Sequence, residues 1–321
     1  MARRLSGIFQ VSHSEMDTYK TCKRRWFLQY YMRLKRKHQP PRIAADTGSA
    51  VHEALDRYYT LGGQGNHEMA YEAAMLTLEA GRESALARDL STEEVKAIGE
   101  IFDTSEIVTD GYFAWLSETG ADKDWVVKGS EERLLVDGPV AGTAISGYVD
   151  LWGEHEPSGD LLVVDTKVIA NFGDTLKTLH INEQAPLYAM LMKMIDPDPD
   201  RGFRVVWNMI KRNKQTSRAK PPFYQRYELA INKDQLAQFY AQIHGQLSDM
   251  IDTERRLDNG EHHYMVAYPT PSRDCSWKCP YVAICGAMND PRTDVDWIIN
   301  NNYEQWEEKP KMDDTVVTDE Q

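Results

Sequence analysis

Asp165-Thr166-Lys167 closes the apolar run Leu161-Leu162-Val163-Val164, and Asp150 closes an earlier run behind Val149. Alternate residues of a strand share a face, so Asp165 and Lys167 are expected to project side by side. Two carboxylates converging with an ammonium suit metal-assisted phosphodiester cleavage. The oxygens fit a hard divalent cation such as Mg2+ or Mn2+, and the Lys can hold a hydroxide nucleophile or steady the charge growing on a phosphate in transfer. Standing alone, Asp-x-Lys more often marks a surface ion pair. His52, in Thr47-Gly48-Ser49-Ala50-Val51-His52, opens a helix. A lone helical His is more commonly a core or surface residue than a ligand. Gln184 and Tyr188 stand four apart on one helix face, where ordinary packing would also explain them.

A second constellation is sulfur. The four cysteines are Cys22, Cys275, Cys279 and Cys285, the last three inside eleven residues. In a reducing compartment such a cluster reads as metal-binding before disulfide-forming. Four thiolates complete one tetrahedral ion or one cubane, leaving none over. Zinc sites usually come as two close C-x2–4-C pairs, whereas one distant Cys plus C-x3-C-x5-C is asymmetric, which favours [4Fe-4S] over zinc or four unrelated buried thiols. Cys22 comes from the other end of the chain, so such a centre would be a structural clasp of the two termini.

Several elements must position these groups. Ser12 with Glu15 forms a capping box, and the aromatic spacing through Tyr30 predicts a helix over 12–32, ended by Pro40-Pro41. Helices are also expected over 46–61, 66–88 and 91–118, the last opened by the Ser91/Glu94 box. From Trp125 the pattern turns to strands over 125–137, 140–152, 161–168 and 203–210, interrupted by a helix over 174–195. A strand near 224–229 and a helix over 232–258 follow. The fold class is therefore α/β, a central mixed sheet flanked by helices with an N-terminal helical region. The division expected is a basic arm over 1–45, a helical region over 46–120 carrying His52, a mixed α/β core over 121–260 holding Asp150, Asp165 and Lys167, a cluster-binding segment over 261–289 and an acidic tail over 290–321, partly disordered.

The chain has 321 residues, 41% hydrophobic and 27% charged, with no apolar run near the roughly 18 residues of a membrane span and no signal-peptide core, so a cytoplasmic location is expected. Net charge is −13, yet residues 290–321 alone supply −7 of it. Elsewhere two stretches lack acids altogether. Residues 23–42 hold eight Lys and Arg, and 201–227 hold eight more, interleaved with Trp26, Tyr30, Tyr31, Trp207, Phe223 and Tyr224. Basic and aromatic residues together suit a groove that tracks a single-stranded backbone and stacks its bases; two solvated surface strips are the plainer reading. The acidic tail reads as a solvated terminus or as a DNA mimic guarding the channel.

In order along the chain, a helical Gly-x3-His, a strand ending in Asp, Asp-x-Lys, Gln-x3-Tyr and a terminal Cys trio with an early Cys resemble the PD-(D/E)XK nuclease superfamily. More closely they resemble its iron–sulfur RecB-type exonucleases, which include CRISPR-associated RecB-like exonucleases, phage-encoded relatives and the nuclease domain of the AddB helicase–nuclease subunit. The resemblance spans about residues 20–288. It implies that His52, Asp150 and Asp165 bind the catalytic Mg2+ or Mn2+ with the Thr166 carbonyl, that Lys167 is the catalytic lysine, and that Gln184 and Tyr188 lie near nucleophile and DNA. Cys22, Cys275, Cys279 and Cys285 would hold a [4Fe-4S] cluster. Two departures stand out: Asp165 where Glu is more frequent, and C-x3-C where C-x2-C is more usual in the CRISPR-associated members. The activity implied is end-directed hydrolysis of single-stranded DNA, leaving a 5′-phosphate and a 3′-hydroxyl. RNA is not excluded as substrate. The alternative is a nucleic-acid-binding adaptor, or an accessory protein of recombination or CRISPR adaptation, with weak or no nuclease activity. A homo-oligomer or such partner proteins are compatible with either.

Overall fold

The computed structural model describes residues 8–196, 198, 201–213, 219–229 and 231–306. In chain order its elements are β1 (Phe9–Ser12), α1 (His13–Thr21), α2 (Lys23–Trp26), a π-turn (Phe27–Tyr31) and β2 (Leu34–Arg36). Three long helices follow, α3 (Ile43–Thr60), α4 (His67–Leu86) and α5 (Thr92–Thr119). Then come β3 (Trp125–Asp137), β4 (Thr143–His155), β5 (Asp160–Ile169), α6 (Phe172–Thr178), α7 (Gln184–Ile195), β6 (Phe203–Lys211) and β7 (Tyr224–Leu229). The chain closes with α8 (Lys233–Asp258), α9 (His263–Val266), α10 (Val282–Ala287), α11 (Val295–Asn302) and β8 (Tyr303–Gln305). The class is mixed α/β, as expected from the run of helices followed by strands.

Two units partition the described residues: 8–39, 135–147 and 237–306 form one, and 40–134 with 148–236 form the other. Strand β4 is long enough to serve both. Its first residues pair in parallel with β1, Phe9 against Thr143 through Ser12 against Ser146, in the first unit. Its later residues pair antiparallel with β5, Leu151 against Val164 through His155 against Asp160, in the second.

In the second unit β5 pairs in parallel with β6, and β6 antiparallel with β7. A parallel pair needs a crossover, and the segment carrying α6 and α7 provides it. Strand alternation gives each face its own partner. Leu162, Val164, Val206 and Ile210 pack against α3 and α5 through Ala54, Val108 and Tyr112. Val205, Trp207 and Met209 pack against α6 and α7 through Phe172 and Ala185. Leu161 through Thr166 are consequently buried on both sides, and Asp165 is carried into the core by the strand. The Ser91/Glu94 capping box that opens α5 forms as the sequence predicts, and Gly120 ends that helix at φ 57°.

The first unit differs from expectation in two places. A continuous helix over 12–32 is expected, but Cys22 is extended (φ −160°, ψ 109°), breaking the helix between α1 and α2. The sheet also begins before Trp125, because Phe9-Gln10-Val11-Ser12 forms β1. Four residues running straight into the N-cap Ser12, whose side chain accepts from the Glu15 N–H, carry too little alternation to register as a strand. Short pairing of β2 with β8 brings Leu34 opposite Gln305. Tyr303 is buried and Trp306 Nε1 donates to the Gln29 carbonyl at 2.8 Å, whereas Trp297 is exposed. Within the expected acidic tail, residues 290–306 are thus structured; Glu307, Glu308, Asp313, Asp314, Asp319 and Glu320 lie outside the described residues.

Candidate active site

The register of β4 and β5 sets the site. One position beyond the Leu151/Val164 pair come Asp150 on β4 and Asp165 on β5. There the ladder gives way to side-chain bonding: the Thr166 N–H donates to Asp150 Oδ2 at 2.6 Å. Asp165 is almost wholly buried, at 1% exposure. Its Oδ1 accepts from Gln184 Nε2 at 2.8 Å and from the Tyr188 hydroxyl at 3.0 Å, both from α7. Gln184 Nε2 also donates to the Tyr188 oxygen at 2.6 Å.

Lys167 stands on the same face as Asp165. Its Nζ donates to Gln184 Oε1 at 2.9 Å and lies 2.7 Å from Asp165 Oδ2, at an angle that makes a charge contact and not a hydrogen bond. Trp207, opposite Asp165 on β6, places its ring 5.0 Å below the ammonium. The amine is therefore held from three sides. Asp165 Oδ2 is buried without a hydrogen-bond partner.

His52 reaches the site from α3. Its Nδ1 lies 3.3 Å from Glu131 Oε1 and 3.5 Å from Asp150 Oδ2. These three residues offer ligand atoms that all fall within 4.8 Å of one another, the one such group of His, Cys, Asp or Glu among the described residues. Asp165 is not in it, because strand alternation turns its side chain toward α7 while His52 approaches over α3. Asp150, at the end of the ladder, addresses both. A groove of about 580 Å³ runs past His52, Glu53, Asp56, Glu131, Thr166 and Lys167.

The electrostatics follow from two carboxylates close together, Asp165 buried and Asp150 half-buried, with His52 and Lys167 beside them. Burial and then the Asp165 charge push the Asp150 carboxyl up to about 7, against the pull of His52, the Thr166 N–H and Lys167. Burial works to lower the His52 imidazole, but the Glu131 hydrogen bond and the charges of Asp150, Glu131 and Asp165 outweigh it, and the net shift is upward. Tyr188 is driven well above the ordinary tyrosine range, first by burial and then by Asp165 and Asp150, so its hydroxyl stays protonated as a donor.

Glu131 was not legible in the motifs. Its one signal is Gly129 inside a strand pattern, which marks a bulge or a close backbone approach. Asn208 was missed too; buried on β6, it donates from Nδ2 to Thr166 Oγ1 at 3.2 Å.

The four cysteines lie in the first unit, half-buried and free of disulfides. They sense one another: burial foremost raises the Cys285 thiol, and Cys22, Cys279 and Cys275 raise it further while Arg24 opposes. Backbone N–H groups point at two of the sulfurs, Thr270 N at Cys22 Sγ (3.5 Å) and Ser272 N at Cys275 Sγ (3.3 Å).

The two basic stretches behave differently from the expected groove. In the first, Arg24 and Trp26 are core residues, and Lys35 pairs with Glu304 while Arg36 donates to the Pro280 carbonyl. In the second, Arg201 pairs with Glu154 and Asp196, Arg204 with Asp160 and Glu228, and Arg226 stacks 3.9 Å from the Trp125 ring. Trp207 and Tyr224 are buried. Most of these cations serve intramolecular pairs, since charges carried by half-buried strands need local partners. Lys214 and Arg218 lie outside the described residues.

A family profile described as the PD-(D/E)XK nuclease superfamily matches residues 10–286. Among solved structures, the chain is similar to a provisionally designated exonuclease from Eubacterium rectale, at 12% identity and TM-score 0.47, covering 81% of this chain and 86% of that one. It is similar to the protein SSO0001 at 16% identity and TM-score 0.34, covering 65% and 93%. A third likeness is to an alkaline exonuclease, LHK-Exo, from Laribacter hongkongensis, at 15% identity and TM-score 0.30, covering 49% and 71%. No curated protein matches. No described helix is long and apolar enough to cross a membrane.

Proposed function

Because this chain belongs to the PD-(D/E)XK nuclease superfamily, we propose that it is a divalent-metal-dependent DNA exonuclease acting on single strands, with a structural [4Fe-4S] cluster in its first unit. The observation that carries the hydrolytic reading is Lys167 Nζ at 2.7 Å from the buried Asp165.

The residues fit a hard cation. Asp165 Oδ2 is a buried oxygen lacking a hydrogen-bond partner, and burial together with the Asp165 charge pushes the Asp150 carboxyl up to about 7. His52, Asp150 and Asp165, with the Thr166 carbonyl, would hold Mg2+ or Mn2+, which when bound supplies Lewis acidity at the scissile phosphate. Lys167 brings a fixed positive charge to the attacked phosphate and can hold a proton beside the nucleophile. Gln184 sets the amine's position by bonding Lys167 and Asp165 at once. Tyr188 keeps Asp165 oriented as a hydrogen-bond donor. Hydrolysis then yields a 5′-phosphate and a 3′-hydroxyl.

The sulfur site fits a metal centre of negative charge. Arg24 is buried, its Nε bonded to the Ala267 carbonyl and its Nη1 without a partner. Burial lowers its pKa, and the anions acting against that shift are Cys285 and Cys22. A buried guanidinium needs an anion. Four thiolates on one iron–sulfur cubane supply it, and two backbone N–H groups already face the sulfurs. Cys22, Cys275, Cys279 and Cys285 are the ligands in this reading.

The test is cleavage of end-labelled single- and double-stranded DNA by anaerobically purified full chain, with and without chelator. Chelator-sensitive, end-directed loss of label from single strands is expected. Persistent cleavage in chelator overturns the metal-dependent reading. DNA binding without any hydrolysis instead assigns the adaptor role.

A further inference from the structure

Given the cation-dependent reading above, we propose that Glu131 is a ligand of the catalytic cation, a carboxylate supplied by β3 in addition to the motif residues. Both neighbours of Glu131 on β3 are bonded to β4. Ser130 Oγ donates to the Asp150 carbonyl at 3.2 Å, Glu132 accepts from Trp152 Nε1, and Glu131 between them takes φ +48°. That region of backbone is rarely occupied by a side chain of this size, and such residues concentrate where a site requires them. Gly129 prepares the turn: a Cβ there would stand 2.2 Å from Trp152 Nε1, so the close approach of the strands depends on a residue without one.

The result is a glutamate aimed at His52 and Asp150. Among the described residues no Lys or Arg pairs with it. Two ligands at right angles on an octahedral ion, with bonds of about 2.1 Å, are about 3.0 Å apart. The spacings from His52 Nδ1, 3.3 Å to Glu131 and 3.5 Å to Asp150, come close to that figure. The ligand atoms of all three residues lie within 4.8 Å of one another, and a groove of about 580 Å³ opens beside His52 and Glu131. The occupant is a divalent cation that accepts both imidazole and carboxylate, Mn2+ in particular.

The experiment titrates Mn2+ into full-length chain, following free Mn2+ by electron paramagnetic resonance, for wild type, Glu131→Gln, Glu131→Gly and Asp150→Asn. Glu131→Gln keeps an acceptor for His52 but removes the charge; a weakening of Mn2+ binding by at least about ten-fold is expected, the lower bound for an outer-shell partner. Glu131→Gly should weaken binding alike while its metal-free Tm stays equal or rises, because glycine relaxes the positive φ. Wild-type affinity in Glu131→Gln overturns the assignment. So does a lowered metal-free Tm in Glu131→Gly with unchanged affinity, which would make Glu131 structural. Should wild type and Asp150→Asn alike fail to bind Mn2+, the metal-dependent reading fails and takes Glu131 with it.

Discussion

Lys167 and Asp165 are joined twice: directly, Nζ to Oδ2 at 2.7 Å, and through Gln184, which accepts from the amine and donates to the carboxylate. The direct contact follows from strand alternation; the second requires α7 to return over the end of β5. Replacing Lys167 with Ala or Asp165 with Asn should reduce cleavage by about 10²–10³-fold or more, as removal of a preorganised charge does elsewhere. Far-UV circular dichroism and DNA affinity should stay near wild type. Comparable cleavage by Asp165→Ala in Mn2+ would remove that residue from the chemistry.

Gln184 touches both partners but is placed as a positioning residue. Gln184→Ala should slow single-turnover cleavage by about 10–100-fold, the usual cost of losing an orienting partner, with substrate affinity little changed. A loss confined to KM would instead make Gln184 a DNA contact.

The Asp150 and His52 titrations give the metal-free protein a defined pH dependence. Asp150 sits near 7 in the folded chain against an ordinary 3.8, so its contribution to stability is complete below about 3.8 and is lost as pH rises through about 7. His52, raised above 6.5, contributes stability present below 6.5 and lost as pH rises through its folded value. A cation needs both groups deprotonated. The rise in Tm on adding Mn2+ should accordingly be larger at about pH 8 than at about pH 5.5; equal shifts would place the cation away from these groups.

At the sulfur site, Cys279→Ser should lose the brown colour and lower the Tm, since a cluster ligand is structural. Arg24→Met should weaken cluster retention, because it removes the buried cation facing Cys22 and Cys285. Asp165→Asn should keep full colour. A colourless wild-type protein purified anaerobically with stoichiometric zinc would replace the cubane by a single ion.

Much of the frame was legible before folding. The Ser91/Glu94 box located α5, β-type runs bounded by turn signals located β3 through β7 within a few residues, and Asp-x-Lys placed two side chains on one face. Less legible were features that depend on neighbours far along the chain. The break at Cys22 has no local signal, because the flanking aromatics keep helical spacing. Trp26 and Trp207, interleaved with positive charge, looked like stacking platforms; burial put both in the core.

By itself the sequence determined which chemistry was available: carboxylates, an amine, an imidazole and four thiols, each at a spacing that local periodicity converts into a face. Tertiary structure decided who meets whom. Asp165 turned to α7 and His52 came in over α3, leaving Asp150 as the residue common to both, and Glu131 joined only because β3 accepts a positive φ beside a close strand contact. Periodicity fixes direction within an element, whereas the convergence of Glu131, Asp150 and His52 from β3, β4 and α3 depends on register and helix docking, which no local pattern encodes.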